Sequence, residues 1–314
     1  MKHRDHLPQL DGTPFLTDGG IETTLIFHEG LDLPLFAAFD LLKDDAGTEA
    51  LRRYFERYAE LAEGRGAGFI LESPTWRASP RWAAEIGYSE SELDEANRRA
   101  IELMEEVRER HESAEMPVVI SGCIGPHGDG YDPAEMLDPA AAQEYHSTQI
   151  GSFAATAADM VSAITMTYAD EAIGLTRAAA AAGMPVAISF TVETDGRLPS
   201  GESLGEAIER VDAETGDGPA YYMLNCAHPT HFEAVLESGG AWRDRIGGLR
   251  ANASAKSHAE LDEAEELDEG DPADLGARYA ALRTSLPNLN VLGGCCGTDH
   301  RHVEAIAEAW PATA

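Results

Sequence analysis

The residues best suited to chemistry lie near the C-terminal end of the sequence, in VLGGCCGTDHRH (291–302), where Cys295 and Cys296 stand side by side among glycines. Only two other cysteines occur in the 314 residues: Cys123 in SGCIGP and Cys226 in LNCAHP. Four cysteines in so long a chain do not make a disulfide scaffold, and metal binding or catalysis is the stronger reading. Zinc takes thiolate sulfur at about 2.3 Å, and catalytic zinc sites use three protein ligands and keep one position open. Adjacent cysteines can face one metal only where the backbone turns tightly, and Gly293, Gly294 and Gly297 permit that turn. Two other readings stand beside this one: a disulfide between Cys295 and Cys296, or small buried packing residues. Cys123 reads as a buried small residue at a strand end and is left out of the metal set.

A three-thiolate site with an open position suits one kind of chemistry. A free thiol has a pKa of about 8.5 and is mostly protonated at neutral pH. Zinc deprotonates a thiol that coordinates it. Three thiolate donors keep that sulfur electron-rich, able to attack an alkyl group. Zinc hydrolases work instead through bound water, usually with histidine and carboxylate ligands.

Such a site needs elements that bring distant residues together. Short β-branched runs recur along the chain: FLTDGGIE (15–22), GAGFILES (66–73), PVVISGCIG (117–125), MVSAITM (160–166), PVAISFTVE (185–193), AYYMLNC (220–226), RIGGLRANAS (245–254) and LNVLGGCCG (289–297). Between them lie segments with apolar residues at helical spacing, such as EALRRYFERYAELAEG and SELDEANRRAIELMEEV. Ser91 with Asp94, and Asp170, read as helix caps. Alternating strands and helices imply crossover units and a parallel sheet, and eight of each fit a single closed (β/α)8 barrel spanning residues 1–314, with 1–12 a polar N-terminal extension. Such barrels commonly run to roughly 250 residues or more as one unit. The acidic stretch DEAEELDEGDPAD reads as a solvated loop and helix beyond strand seven.

The strand ends carry the chemistry: DGG, ES, GCIGPHGDG, TMTY, TVETDGR, NCAHPTH, RANAS and GGCCGTDH, whereas the opposite ends, such as GMPV and LPNLNV, are plain. In a (β/α)8 barrel the active site forms at the C-terminal ends of the strands. Cys226 then ends strand six, and Cys295 with Cys296 ends strand eight. Only one strand separates them, so three sulfurs can converge at one rim.

Composition excludes several partners. The chain carries 56 acidic and 23 basic residues, a net charge of −33, and its only lysines are Lys2, Lys43 and Lys256. A polyanion of this kind repels nucleic acid and anionic membranes. The acids spread over helical faces as a solvated surface, the pattern of a salt-adapted, halophilic protein. No apolar run reaches the roughly 18 residues of a membrane helix, and MKHRDHLPQLDG lacks the apolar core of a signal peptide. A cytoplasmic location is expected; the sequence sets no oligomeric state.

LTDGGIETTL, SGCIGPHGDGY, LNCAHP and GGCCGT together resemble the homocysteine S-methyltransferase family over about residues 15 to 308. The resemblance implies a (β/α)8 barrel whose Zn2+ is held by Cys226, Cys295 and Cys296, with methyl transfer to the thiol of homocysteine giving methionine. It also implies that Asp18 lies near the amino-acid substrate, though a turn carboxylate is an equal reading. Asn225 and Asn252 match amides that line the family's pocket, or they hold strand ends. One departure stands out. Many family members carry at the end of strand four an acid that binds the amino group of homocysteine; here that position is Ile164, followed by Thr165. Glu193, at the end of strand five, is the candidate replacement carboxylate, or else a solvated loop residue.

His127, His228, His231, His300 and His302 crowd the same rim; each alone reads as a surface or cap histidine, with His228 able to reach the site as a proton carrier. Trp76 and Tyr168 could stack on a cationic donor or pack the rim. No glycine-rich loop follows a strand and opens a helix, so a nucleotide-type site is not supported. A positively charged donor suits an anionic thiolate site, which favours S-methylmethionine or S-adenosylmethionine. The alternatives are the same zinc barrel acting on another thiol or alkyl donor, and a non-catalytic barrel that binds a thiol or zinc.

Overall fold

In the computed structural model, which describes residues 2–262 and 266–310, the alternating segments close into a barrel. Its eight parallel strands follow in chain order: β1 (Phe15–Leu16), β2 (Gly68–Glu72), β3 (Val118–Ile124), β4 (Met160–Met166), β5 (Val186–Phe190), β6 (Tyr221–Asn225), β7 (Ile246–Ala251) and β8 (Val291–Gly294). Closure falls on Phe15, which pairs with Gly68 of β2 on one side and Val291 of β8 on the other. The helices are α1 (Asp45–Arg65), α2 (Pro80–Glu85), α3 (Glu90–His111), α4 (Pro139–Ala154), α5 (Ala169–Ala181), α6 (Leu204–Thr215), α7 (Pro229–Glu237), α8 (His258–Asp262), α9 (Pro272–Leu282) and α10 (His300–Ala309). No helix among the described residues is long and apolar enough to cross a membrane.

Local chemistry sets the helix ends. Asp44 accepts from the Gly47 amide to start α1, and Gly66, at φ +63°, ends it in the left-handed region. The cap of α3 lies two residues before the expected Ser91. Ser89 and Glu92 cap each other reciprocally, because a glutamate three residues on can reach back to the cap amide and Asp94 is too far into the helix to do so. Likewise α5 is capped at Tyr168, and Asp170 sits in its first turn, ion-paired to Arg210. The expected first strand, 15–22, is cut to Phe15–Leu16, beyond which Thr17 and Asp18 still bond the β8 side, Asp18 through its carbonyl to the Gly294 amide (3.0 Å). Of the acidic stretch beyond strand seven, residues 263–265 lie outside the described residues; α9 follows it.

Alternation along the strands sorts the core into two layers. Outward residues such as Phe69, Leu71, Ile120, Ile188, Leu224 and Leu292 are buried against the helices. Each such side chain contributes about 1.5–3 kcal/mol. Inward residues, among them Phe15, Ile70, Val119, Met160, Met223 and Val291, fill the barrel. Two residues further along their strands stand Glu72, Ser121, Ser162, Ser189 and Asn225, joined by Arg250 of β7. The barrel interior thus turns from apolar to polar toward the C-terminal rim. Ser121 and Ser162 hydrogen-bond there (2.8 Å), as do Ser189 and Asn225 (2.6 Å).

The polar N-terminal segment packs across the opposite end. Leu7 and Gln9 are buried, Leu7 within the interior cluster. The anchor is Asp159, wholly buried, which accepts from the amides of Lys2 and His3 (2.8 Å each), from Ile120 N (3.0 Å) and from the Arg108 guanidinium (2.8 Å). Removing one partner of a buried ion pair strands the other charge. Asp159→Ala is therefore expected to cost about 3–5 kcal/mol, read as a lower urea midpoint by far-ultraviolet circular dichroism.

Candidate active site

Three sulfurs meet at the C-terminal rim. Cys226 leaves β6 in the left-handed region (φ +51°), an uncommon conformation for a non-glycine residue, and its amide donates to the Arg250 carbonyl (3.2 Å). Cys295 follows β8 with its amide bound to the Ala251 carbonyl (2.9 Å). The turn at Gly297 (φ +77°), whose amide donates to Thr23 Oγ1 (3.0 Å), swings Cys296 to the same side. Cys226, Cys295 and Cys296 place their Sγ atoms within 4.8 Å of one another. Cys226 and Cys295 are paired as a disulfide with Cα atoms 5.4 Å apart, and Cys296 Sγ lies 3.7 Å from Cys226 Sγ. The adjacent pair Cys295–Cys296 is not bonded. Cys226 is buried and Cys296 exposed, so the cluster opens outward. Cys123 lies inside the barrel among apolar residues, and burial pushes its thiol well up. A second cluster, His28, Glu269 and Asp299, is already neutralised by Arg301, which reaches both carboxylates (2.6 and 2.7 Å).

The loop after β3 crosses the mouth to this cluster. Gly130 packs between Trp76 and Thr165. Tyr131 lies tilted against His258 (centroids 4.1 Å apart), with its hydroxyl 3.8 Å from Cys296 Sγ. The ring nitrogens of His258 meet the Cys226 carbonyl (2.6 Å) and Glu193 (3.1 Å).

A family model described as homocysteine S-methyltransferase matches residues 15–310. The chain belongs to the homocysteine S-methyltransferase family. It is a methyltransferase of that type. Its fold is similar to that of the homocysteine methyltransferase MmuM from Escherichia coli. The oxidized form of that protein matches at 18% identity and a TM-score of 0.75, covering 95% of this chain and 96% of that one. Its metallated form matches at 16% identity and 0.70, covering 96% and 99%. A search of curated proteins finds no significant match.

In this methyltransferase the four expected substrate residues divide. Asp18 faces inward, 3% exposed, held by Arg250 (2.6 Å) and the Tyr54 hydroxyl (2.8 Å); burial pushes its carboxyl up and Arg250 opposes that. Asn225 is fully engaged: its oxygen accepts from Thr165 N (2.9 Å) and Ser189, and its nitrogen donates to Thr165 Oγ1 (2.8 Å). These bonds hold Thr165 at φ +68°. Asn252 is 2% exposed, and its side-chain oxygen has no hydrogen-bond partner among the described residues. Glu193, 35% exposed at its side chain, is joined to His258.

The rim histidines sit at helix starts and loop anchors, and the side chains of His228, His231 and His302 bond backbone. His127 donates its amide to Glu171 (2.6 Å), His228 caps α7, His231 meets the Ala255 carbonyl (2.9 Å), His302 shares the α10 capping box with Asp299, and His300 opens α10. Trp76 already carries the Arg77 guanidinium on its face at 4.0 Å, and the Tyr168 hydroxyl accepts from Leu137 N (2.9 Å).

Sequence reasoning passed over His258, Tyr131, Arg77, Arg250, Glu22 and Glu72. Strand parity held a signal for two of them, since Arg250 lies two residues before Asn252, and Glu72 two after Ile70. Burial pushes both Glu22 and Glu72 up to about 7. A carboxyl raised in the fold is protonated there while the unfolded chain is ionised, so its contribution is whole below about pH 4.5 and is lost as pH rises through 7. Glu72→Gln keeps the shape without the charge. It is expected to stabilise the protein by about 1–3 kcal/mol at pH 8, with the gain vanishing near pH 4.5, measured by urea unfolding at the two pH values.

Proposed function

We propose that this methyltransferase uses zinc to move a methyl group from a small cationic donor, S-methylmethionine or S-adenosylmethionine, to the thiol of homocysteine, giving methionine. The observation that carries the reading is the convergence of Cys226, Cys295 and Cys296 within 4.8 Å at the barrel's C-terminal rim. The donor set fits zinc in kind: three sulfurs, with no histidine or carboxylate among them, and one exposed edge for a fourth ligand. As thiolates, the three cysteines would hold the ion, and the Cys226–Cys295 disulfide and the loaded state exclude each other. When bound, zinc lowers the proton affinity of a substrate thiol and keeps its sulfur nucleophilic at neutral pH.

The chain's own residues supply position and shelter. His258 fixes the Cys226 carbonyl, and Asn225 fixes Thr165 with its nitrogen 3.9 Å from Cys295 Sγ. Tyr131 covers the cluster from the loop after β3 and limits water at the sulfur. Asn252 offers a buried acceptor without a partner, and Glu193 a carboxylate open to the mouth. Asp18 and Asn225 act by holding the floor on which the substrate rests. Transfer forms an S–CH3 bond as the sulfonium C–S bond breaks, so an anionic sulfur and a cationic donor both become neutral. A water-poor mouth favours that loss of charge.

A second reading, with another thiol as acceptor, draws on Ile164. It is 7% exposed within the interior cluster and offers no carboxylate for an ammonium group.

Purified under reducing conditions, the protein is expected to hold close to one zinc per chain and to form methionine from homocysteine and one of the two donors. Cys226→Ser should lose both zinc and turnover with its circular dichroism spectrum unchanged. Zinc without methionine would turn the reading to another thiol, and a folded protein without zinc would overturn it.

A further inference from the structure

Three arginines are buried among the described residues, and two of them are neutralised inside the fold: Arg108 by Asp159 (2.8 Å) and Arg250 by Asp18 (2.6 Å). The third, Arg77 on the loop after β2, is 6% exposed and has no carboxylate within ion-pair distance among the described residues. Its one hydrogen bond there is a long one to the Gly128 carbonyl (3.5 Å), and its Nε has no partner. A buried charge left this way is costly unless something completes it.

The surroundings hold Arg77 flat, against the loop after β3 that crosses the mouth. Its guanidinium lies 4.0 Å from the ring centre of Trp76 and 3.7 Å from that of Trp82. Both indoles are pinned, Trp76 to the Ile164 carbonyl (3.1 Å) and Trp82 to the Pro126 carbonyl (3.4 Å). Trp76 packs on Gly130, and the next residue, Tyr131, touches Cys296. A guanidinium held in plane between two rings keeps its N–H edge for a planar anion. Burial lowers Arg77 to about 10, which leaves it charged at neutral pH. The carboxylates it senses are Asp129 first and Glu22 second, neither within ion-pair distance, and Glu22 is pushed up to about 7 and so is only partly ionised there.

We infer that Arg77 is a specificity-determining residue that binds the carboxylate of the acceptor thiol. This rests on the zinc-dependent thiol methylation proposed above. With Ile164 at the end of β4, recognition moves from the acceptor's ammonium end to its carboxylate end.

The test compares homocysteine with 3-aminopropane-1-thiol, which keeps the thiol and ammonium groups and lacks the carboxylate. It uses zinc-loaded wild type, Arg77→Gln and Arg77→Lys. Binding is read by quenching of tryptophan fluorescence, since Trp76 and Trp82 flank the arginine, and KM and kcat are measured alongside. A charged hydrogen bond of about 1.5–3 kcal/mol predicts that wild type favours homocysteine by roughly 10- to 100-fold in Kd and KM. Arg77→Gln should narrow that preference to within about threefold, chiefly through KM, and Arg77→Lys should fall between. An Arg77→Gln protein that keeps its zinc content and melting temperature together with the full preference would overturn the assignment, as would a wild type that shows no preference. If wild type neither binds nor methylates homocysteine, the functional reading fails separately. The same variants with 3-mercaptopropionate and 2-mercaptoethanol then decide the arginine: selective loss of the acid supports it, and an equal response overturns it.

Discussion

Arg250 reaches from β7 across the top of the barrel to Asp18, and most of the site's geometry depends on that ion pair. The same guanidinium bonds the carbonyls of Gly294 (3.1 Å) and Gly19 (3.3 Å). Asp18 in turn takes the Gly294 amide on its backbone carbonyl and the Tyr54 hydroxyl on its side chain. One buried cation thus joins the β1 loop, β7 and the end of β8, the segment that presents Cys295 and Cys296. Gly293 and Gly294 lack side chains for the same reason: a Cβ on either would strike Thr17 or Thr298, which close the joint. Both charges are almost wholly buried, so neither has water to fall back on and the geometry is held tightly.

Around this joint the buried interior is crowded with charge. Glu22 and Glu72 take protons near neutrality because burial outweighs their attraction to Arg250 and, for Glu22, to Arg77 as well. A net charge of −33 therefore says little about the interior, where acids are raised and two arginines sit within reach of one another's partners. This contrast suits the methyl transfer proposed above, between oppositely charged groups. Solvated surface acids act weakly at a distance through salt and water, whereas the few charges inside act at full strength.

The loop after β3 shows how a barrel with parallel strands brings opposite sides together. It starts beside β2 and β4, and through Tyr131 it reaches residues that follow β7 and β8. Its far end is held by Tyr168, and its near end by Glu171, which binds the His127 amide. The rim histidines and aromatics mostly serve this framework as caps and packing.

The sequence by itself determined the architecture and the cysteine cluster. Period-two apolar runs set between amphipathic helices specify a parallel barrel, and strand ends rich in glycine, cysteine and asparagine mark the working rim. Cys226, Cys295 and Cys296 were legible because sulfur is scarce in this chain and the spacing from strand six to strand eight follows from strand order alone. Helix starts slipped by a residue or two, since a cap depends on which side chain can reach back to a free amide. What only the tertiary structure decided is which charges are paired. Arg77, Arg250, Glu22, Glu72 and His258 look ordinary in a sequence with 79 charged residues. Their chemistry comes from burial and from partners as far as 232 positions away, as in Asp18 and Arg250. Desolvation and pairing are properties of three-dimensional neighbours, and no local pattern of residues encodes them.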